Sequence, residues 1–155
     1  MERRAYTWEV AADMFKKNPV LGVGIGNWDL ARFLDDPEHS IGAPHSSYFL
    51  ALCEGGILTL LGFLVVLWRC WGNIRFAERC IDAPDGPLHD LRWVVKSTKT
   101  DFVVLIFFSA FADLWQLVIL FWLVGIGIVL RRLYEQALFE QALSMDAYAA
   151  SASAA

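Results

Sequence analysis

Cysteine is scarce, basic charge is not in excess, and the first residues hold no long apolar run. Each lack excludes a class of protein. Only Cys53, Cys70 and Cys80 stand among the 155 residues. Three thiols cannot all pair, and their spacing is not that of a disulfide framework. Nor does their spacing to His89 fit a usual zinc pattern, so no metal site is expected. The formal net charge of −4 argues against general nucleic-acid binding, which needs a basic footprint. The opening stretch "MERRAYTWEVAADMFKKN" is polar and amphipathic, without the apolar core of a cleavable signal peptide.

What the chain does have is apolar residues. It is 57% hydrophobic, with a mean hydropathy of +0.44. That is high for a soluble domain and ordinary for a membrane protein with sizeable loops. The expected fold class is all-α: a polytopic transmembrane helical chain with an outward-facing amphipathic-helix and loop segment.

Residues 4–17 read as an amphipathic helix, with Ala5, Trp8, Ala12 and Phe15 on one face and Glu9, Asp13 and Lys16 on the other. Lys16 and Lys17 suit its C-terminal end, and Asn18-Pro19 stops it. Residues 19–44 read as loop. Pro44 suits a first helical position, predicting a helix over 44–54 that ends at Gly55-Gly56. A charge-free run follows from Ile57 until Arg69. Counted from Tyr48, the apolar stretch is long enough to cross ~30 Å of hydrocarbon. Trp68 and Trp71 resemble an interface belt.

The segment 72–100 is polar and reads as a loop. Residues 102–130 are apolar apart from Asp113 and Gln116. At 1.5 Å per residue they extend ~43 Å, too long for one straight span and short for two. The "ADLWQ" in the middle favours a tight helical hairpin over one long tilted helix. The small-residue tail is expected to be partly disordered. Domain organisation is therefore 1–55 as a helix–loop–helix region, 56–132 as membrane helices with a loop near 72–100, and 133–155 as tail. Arg69, Arg75, Arg79, Arg92, Lys96, Lys99, Arg131 and Arg132 place the loop and tail in the cytoplasm by the positive-inside rule, and 1–50 outside.

"GVGIGNW" invites comparison with a phosphate-cradling loop. A dinucleotide fingerprint needs a strand before it and a third glycine at the step where Trp28 stands, so that reading is rejected. His45 has two readings. One is a histidine at a helix start that only hydrogen-bonds a loop carbonyl. The other is a general base: the positive end of a helix dipole favours the neutral imidazole, which accepts a proton. The same helix end offers N–H groups to an anion. Ser46 and Ser47 read as capping residues or substrate contacts. Arg4, one turn before Trp8, pairs with lipid phosphate or grips one phosphate bidentately. Glu54 and Asp113 read as cap or interface groups.

Taken in order, Arg4 and Trp8, Asn18-Pro19 with Gly22 and Gly24, His45-Ser46-x-Tyr48 and Glu54-Gly55 resemble the C-terminal half of bacterial O-antigen ligases and polymerases. The resemblance covers residues 3–70 strongly and 100–132 only as hydrophobic spans. It implies a multi-pass enzyme of the bacterial inner membrane. Such an enzyme transfers a glycan from an undecaprenyl-pyrophosphate carrier to an acceptor hydroxyl of a glycan, lipid A-core or protein in the periplasm. No nucleotide sugar, metal or other cofactor is implied. His45 and Arg4 become the catalytic candidates, with Ser46, Tyr48, Trp8 and Asn27 as substrate-binding candidates. Family members are several times longer, so opening just before Arg4 is read as a truncated gene, a split gene with a separate N-terminal half as partner, or a misplaced start. The rival expectation is a non-catalytic membrane fragment, either a decayed remnant or an assembly subunit that only docks on partners.

Overall fold

The computed structural model describes residues 2–35, 42, 44–81, 89–112 and 118–153; at 2–4, 118–120, 148, 149, 151 and 153 only the backbone is described. All regular structure among these residues is helical: α1 (Glu2–Lys17), α2 (Trp28–Asp35), α3 (Ser47–Ile81), α4 (Arg92–Ser109) and α5 (Val118–Ser153), with a 3-10 turn at His89–Leu91. The all-α expectation holds. Among the described residues α3 alone is long and apolar enough to cross a membrane.

Two compact units divide the chain, one of Met1–Leu67 with Val103–Phe121, the other of Trp68–Phe102 with Trp122–Ala155. The first unit is built on Ala11 and Met14 of α1, Trp28 of α2, and Leu50 and Cys53 of α3, all buried. Burying a side chain such as Met14 or Leu50 contributes about 1.5–3 kcal/mol relative to exposure in water. The core of the second unit is Ala77 and Ile81 of α3, Val95 of α4, and Leu130 and Tyr134 of α5. Beside it Trp71 stacks on Phe102 at 6.0 Å, with Arg75 and Lys99 over its ring. Both cations lie against Glu78.

Several expectations are corrected. The buried face of α1 runs through Thr7, Ala11 and Met14, a rotation from the Ala5–Trp8–Ala12–Phe15 face, and Ala5 is exposed. Residues 19–44 are not all loop, because α2 lies inside them. The helix expected from Pro44 begins instead at Ser47. His45 has φ 47°, a left-handed conformation that a right-handed helix cannot include. The polar segment 72–100 is largely helical, since α3 continues to Ile81 and α4 starts at Arg92. The tail is helical to Ser153, because glutamate, glutamine, leucine and alanine are strong helix formers. An i,i+4 pair of Arg131 with Glu135 at 2.7 Å lies near the start of that stretch. The apolar stretch 102–130 is shared by two helices, α4 and α5, with turn hydrogen bonds from Ala110 to Phe107 and Phe111 to Phe108 between them. Asp113 and Gln116 lie outside the described residues.

The break anticipated at Gly55-Gly56 is present. Gly56 interrupts α3 with φ 68° and ψ −167°, a region essentially reserved for glycine.

Candidate active site

The loop after α1 folds back onto this break. Val23 and Gly24 donate their backbone N–H groups to the carbonyls of Cys53 and Glu54, at 2.9 and 2.8 Å. Those carbonyls end the first part of α3 and have no helical partner of their own. On the far side of the break, Ile57 N–H donates to Pro19 C=O at 2.9 Å. One strand of loop therefore caps the end of one half-helix and the start of the next. Glycine is what permits the approach. A Cβ on Gly22 would collide with the backbone of Cys53 and Glu54, and one on Gly56 with that of Val20 and Leu21.

Glu54 is 2% exposed and its Oε1 accepts from the backbone N–H of Trp28 at 3.2 Å. Trp28 is the first residue of α2, so the carboxylate sits at the positive end of that helix. Asn27 precedes it, and its carbonyl accepts from Ala31 N–H as the N-cap of α2. The Asn27 side chain is exposed and donates to Val23 C=O at 3.3 Å. The Trp28 indole N–H is buried with no partner among the described residues.

His45 lies just before α3, exposed, between two held flanks. On one side Trp8 Nε1 donates to Pro44 C=O at 2.8 Å, and the Trp8 ring stacks on Phe49 at 5.2 Å and 16°. On the other, Ser46 is buried and its carbonyl accepts from Leu50 N–H, making it the N-cap of α3. Ser47 then donates both its backbone N–H, at 3.1 Å, and its hydroxyl, at 2.7 Å, to Ala112 C=O. Tyr48 donates its hydroxyl to Ile106 C=O at 3.2 Å, a carbonyl freed by the end of α4. The backbone around His45 is thus tied to α1 and to the turn that ends α4, while His45 itself is exposed.

Residues 1–64 match the O-antigen ligase family. The match covers α1, the glycine loop, α2, the break and the start of the apolar run, which together form most of the first unit. No curated protein and no solved structure matches the chain.

Within the ligase-matched segment the structure gathers Trp8, His45, Ser46 and Tyr48 around the start of α3. Trp8, Ser47 and Tyr48 each hold a backbone carbonyl there. Asn27 belongs to the other cluster, with Glu54 and the glycine loop. Arg4 is in α1, one turn before Trp8; its side chain lies outside the described residues. Sequence reasoning missed α2 and the buried role of Trp28. The signal for α2 was an asparagine cap followed by an acid in the first turn, Asn27 and Asp29.

Proposed function

We propose that the ligase-matched segment serves glycan transfer at a membrane surface, from an undecaprenyl-pyrophosphate carrier to an acceptor hydroxyl. The observation that carries this is His45: exposed, held in a left-handed backbone conformation, with the Pro44 carbonyl before it bonded from Trp8 of α1 and Ser47 after it bonded to the Ala112 carbonyl just past α4. Such strain in a non-glycine residue persists only where the surroundings impose it, and it clusters at functional sites. In the proposed reaction the acceptor oxygen attacks the anomeric carbon of the lipid-linked glycan. Its proton passes to the His45 imidazole, the bond to the pyrophosphate breaks, and the carrier leaves as undecaprenyl pyrophosphate. Arg4 pairs with the charge on the leaving pyrophosphate, a task suited to a guanidinium fork. Residues 1–50 lie on the periplasmic side of the inner membrane in this reading, on the distribution of basic residues.

The test is transfer from a lipid-linked donor in membranes, with protein level followed by immunoblot. General-base assistance is worth ~10²–10⁴ in rate, so His45→Ala lowers transfer by at least ~10²-fold at unchanged protein level. Undiminished transfer by His45→Ala overturns the catalytic role.

A further inference from the structure

α2 turns the wrong face outward for a helix in water. Trp28 is buried against α1 and α3, with Ala31 packed on the same core. The opposite stripe is Leu30, Phe33 and Leu34, at i, i+3 and i+4, and Leu34 is 72% exposed. At those positions a water-facing helix carries polar side chains. The preceding loop repeats the pattern: Val20, Leu21 and Ile25 are exposed, Leu21 to 73%. From Asn18 to Trp28 there is no charged residue at all. Single exposed apolar residues are ordinary, but six on two consecutive segments mark an interaction surface.

The hydrogen bonds of the loop say what covers that surface. Pro19 is bonded to Ile57, and Val20 backs onto Gly56, so residues 19–21 lie at the head of the apolar run that starts at Ile57. That run itself exposes Leu58, Leu61 and Val65. The exposed apolar surface of the loop is therefore continuous with the one that α3, as a membrane span, presents to lipid. Lys17 and Asp35, the last residues of α1 and α2, pair with each other, and the other charged residues of α2, Asp29 and Arg32, occupy positions beside the Leu30–Phe33–Leu34 stripe rather than on it.

We infer that residues 20–34 form an interfacial foot. Val20, Leu21, Ile25, Leu30, Phe33 and Leu34 enter the phospholipid layer just beneath the head groups, on the side where α3 begins. An amphipathic segment with aromatic and aliphatic residues on one face lies in the interface plane in this way. The foot fixes the depth of the first unit in the bilayer whether or not the chain transfers glycan.

The experiment places an environment-sensitive fluorophore on Leu34→Cys, with Cys80→Ser to remove the partly exposed native thiol. The chain is reconstituted in phosphatidylcholine vesicles containing phosphatidylglycerol, and Lys16→Cys carries the probe as a polar control. Expected is quenching at position 34 by phospholipid bearing a shallow nitroxide, several-fold stronger than at position 16, with the reverse order for aqueous iodide. Equal iodide quenching at the two positions overturns the foot. Protection at position 34 from both quenchers also overturns it, in favour of a second copy covering the stripe, which cross-linking through the same cysteine then detects. Since probe depth is read without any transfer reaction, failure here leaves the His45 reading untouched, and failure of His45 leaves the foot untouched.

Discussion

Ile57 donates its backbone N–H to the carbonyl of Pro19 at 2.9 Å, across the break at Gly56. This bond ties the first residue after the break to the loop that caps the last residues before it. Without it, the second half of α3 would begin with a backbone donor that has lost its protein partner.

Gly56→Ala is therefore expected to be strongly destabilising. The φ of 68° is strained for any L-residue, and the added Cβ would meet the Val20 carbonyl. Strain of this kind costs about 1–3 kcal/mol before the clash is counted. Gly62→Ala is the control, because its Cβ would enter open space and its backbone is helical. Thermal unfolding in detergent should show a large loss for the first and none for the second. Equal stability would mean that the break relaxes freely.

Glu54 holds the start of α2 through the Trp28 N–H. Glu54→Ala removes the acceptor and leaves a buried donor, a change that costs about 1–3 kcal/mol. The local consequence is fraying of α2, read as faster cleavage within 28–35 by added protease. Glu54→Gln keeps an acceptor oxygen and should protect α2 nearly as well as the native residue. If Glu54→Ala leaves the cleavage rate unchanged, the carboxylate does not hold α2.

His45→Gly separates strain from chemistry. The left-handed φ costs an L-residue roughly 1–2 kcal/mol, and glycine adopts it freely. The variant should match or exceed the native chain in thermal stability while losing transfer. Gain of stability with loss of function is the expected signature of a strained working residue. A clear loss of stability would show that the imidazole, and not the backbone, supports the fold.

Arg4→Lys tests whether the proposed phosphate contact needs a fork or only a charge. An ammonium cannot reproduce bidentate geometry. Transfer should fall nearly as far in Arg4→Lys as in Arg4→Ala. A lysine variant that works like the native chain, beside a failed alanine variant, would reduce the role of Arg4 to charge alone.

Much of this architecture was legible in the residues. Asn18-Pro19 ends α1, Gly55-Gly56 breaks α3, and the run from Ile57 is span-like, all from local chemistry. The same rules erred where tertiary contacts chose among locally acceptable options. The α1 face was set one position away, since Ala11 and Met14 pack with Trp28 of α2 and Leu50 and Cys53 of α3, with Thr7 buried on the same face and Ala5 exposed. α2 was hidden because it is eight residues long and its most regular apolar stripe points outward, where burial arguments do not expect it.

By itself, then, the sequence determined an all-helical chain with a membrane-length apolar run, and it carried the ligase-like order of Arg4, Trp8, His45 and Glu54. These follow from backbone freedom, helical period and composition, which act over a few residues at a time. Only the tertiary structure decided that Gly22 and Gly56 serve a close crossing of two backbones, that Glu54 caps a helix 26 residues before it, and that Pro44 is held from Trp8 while His45 is exposed. Each of those depends on which distant residues meet, and a hydrogen bond between them exists only once the chain has closed the loop that separates them.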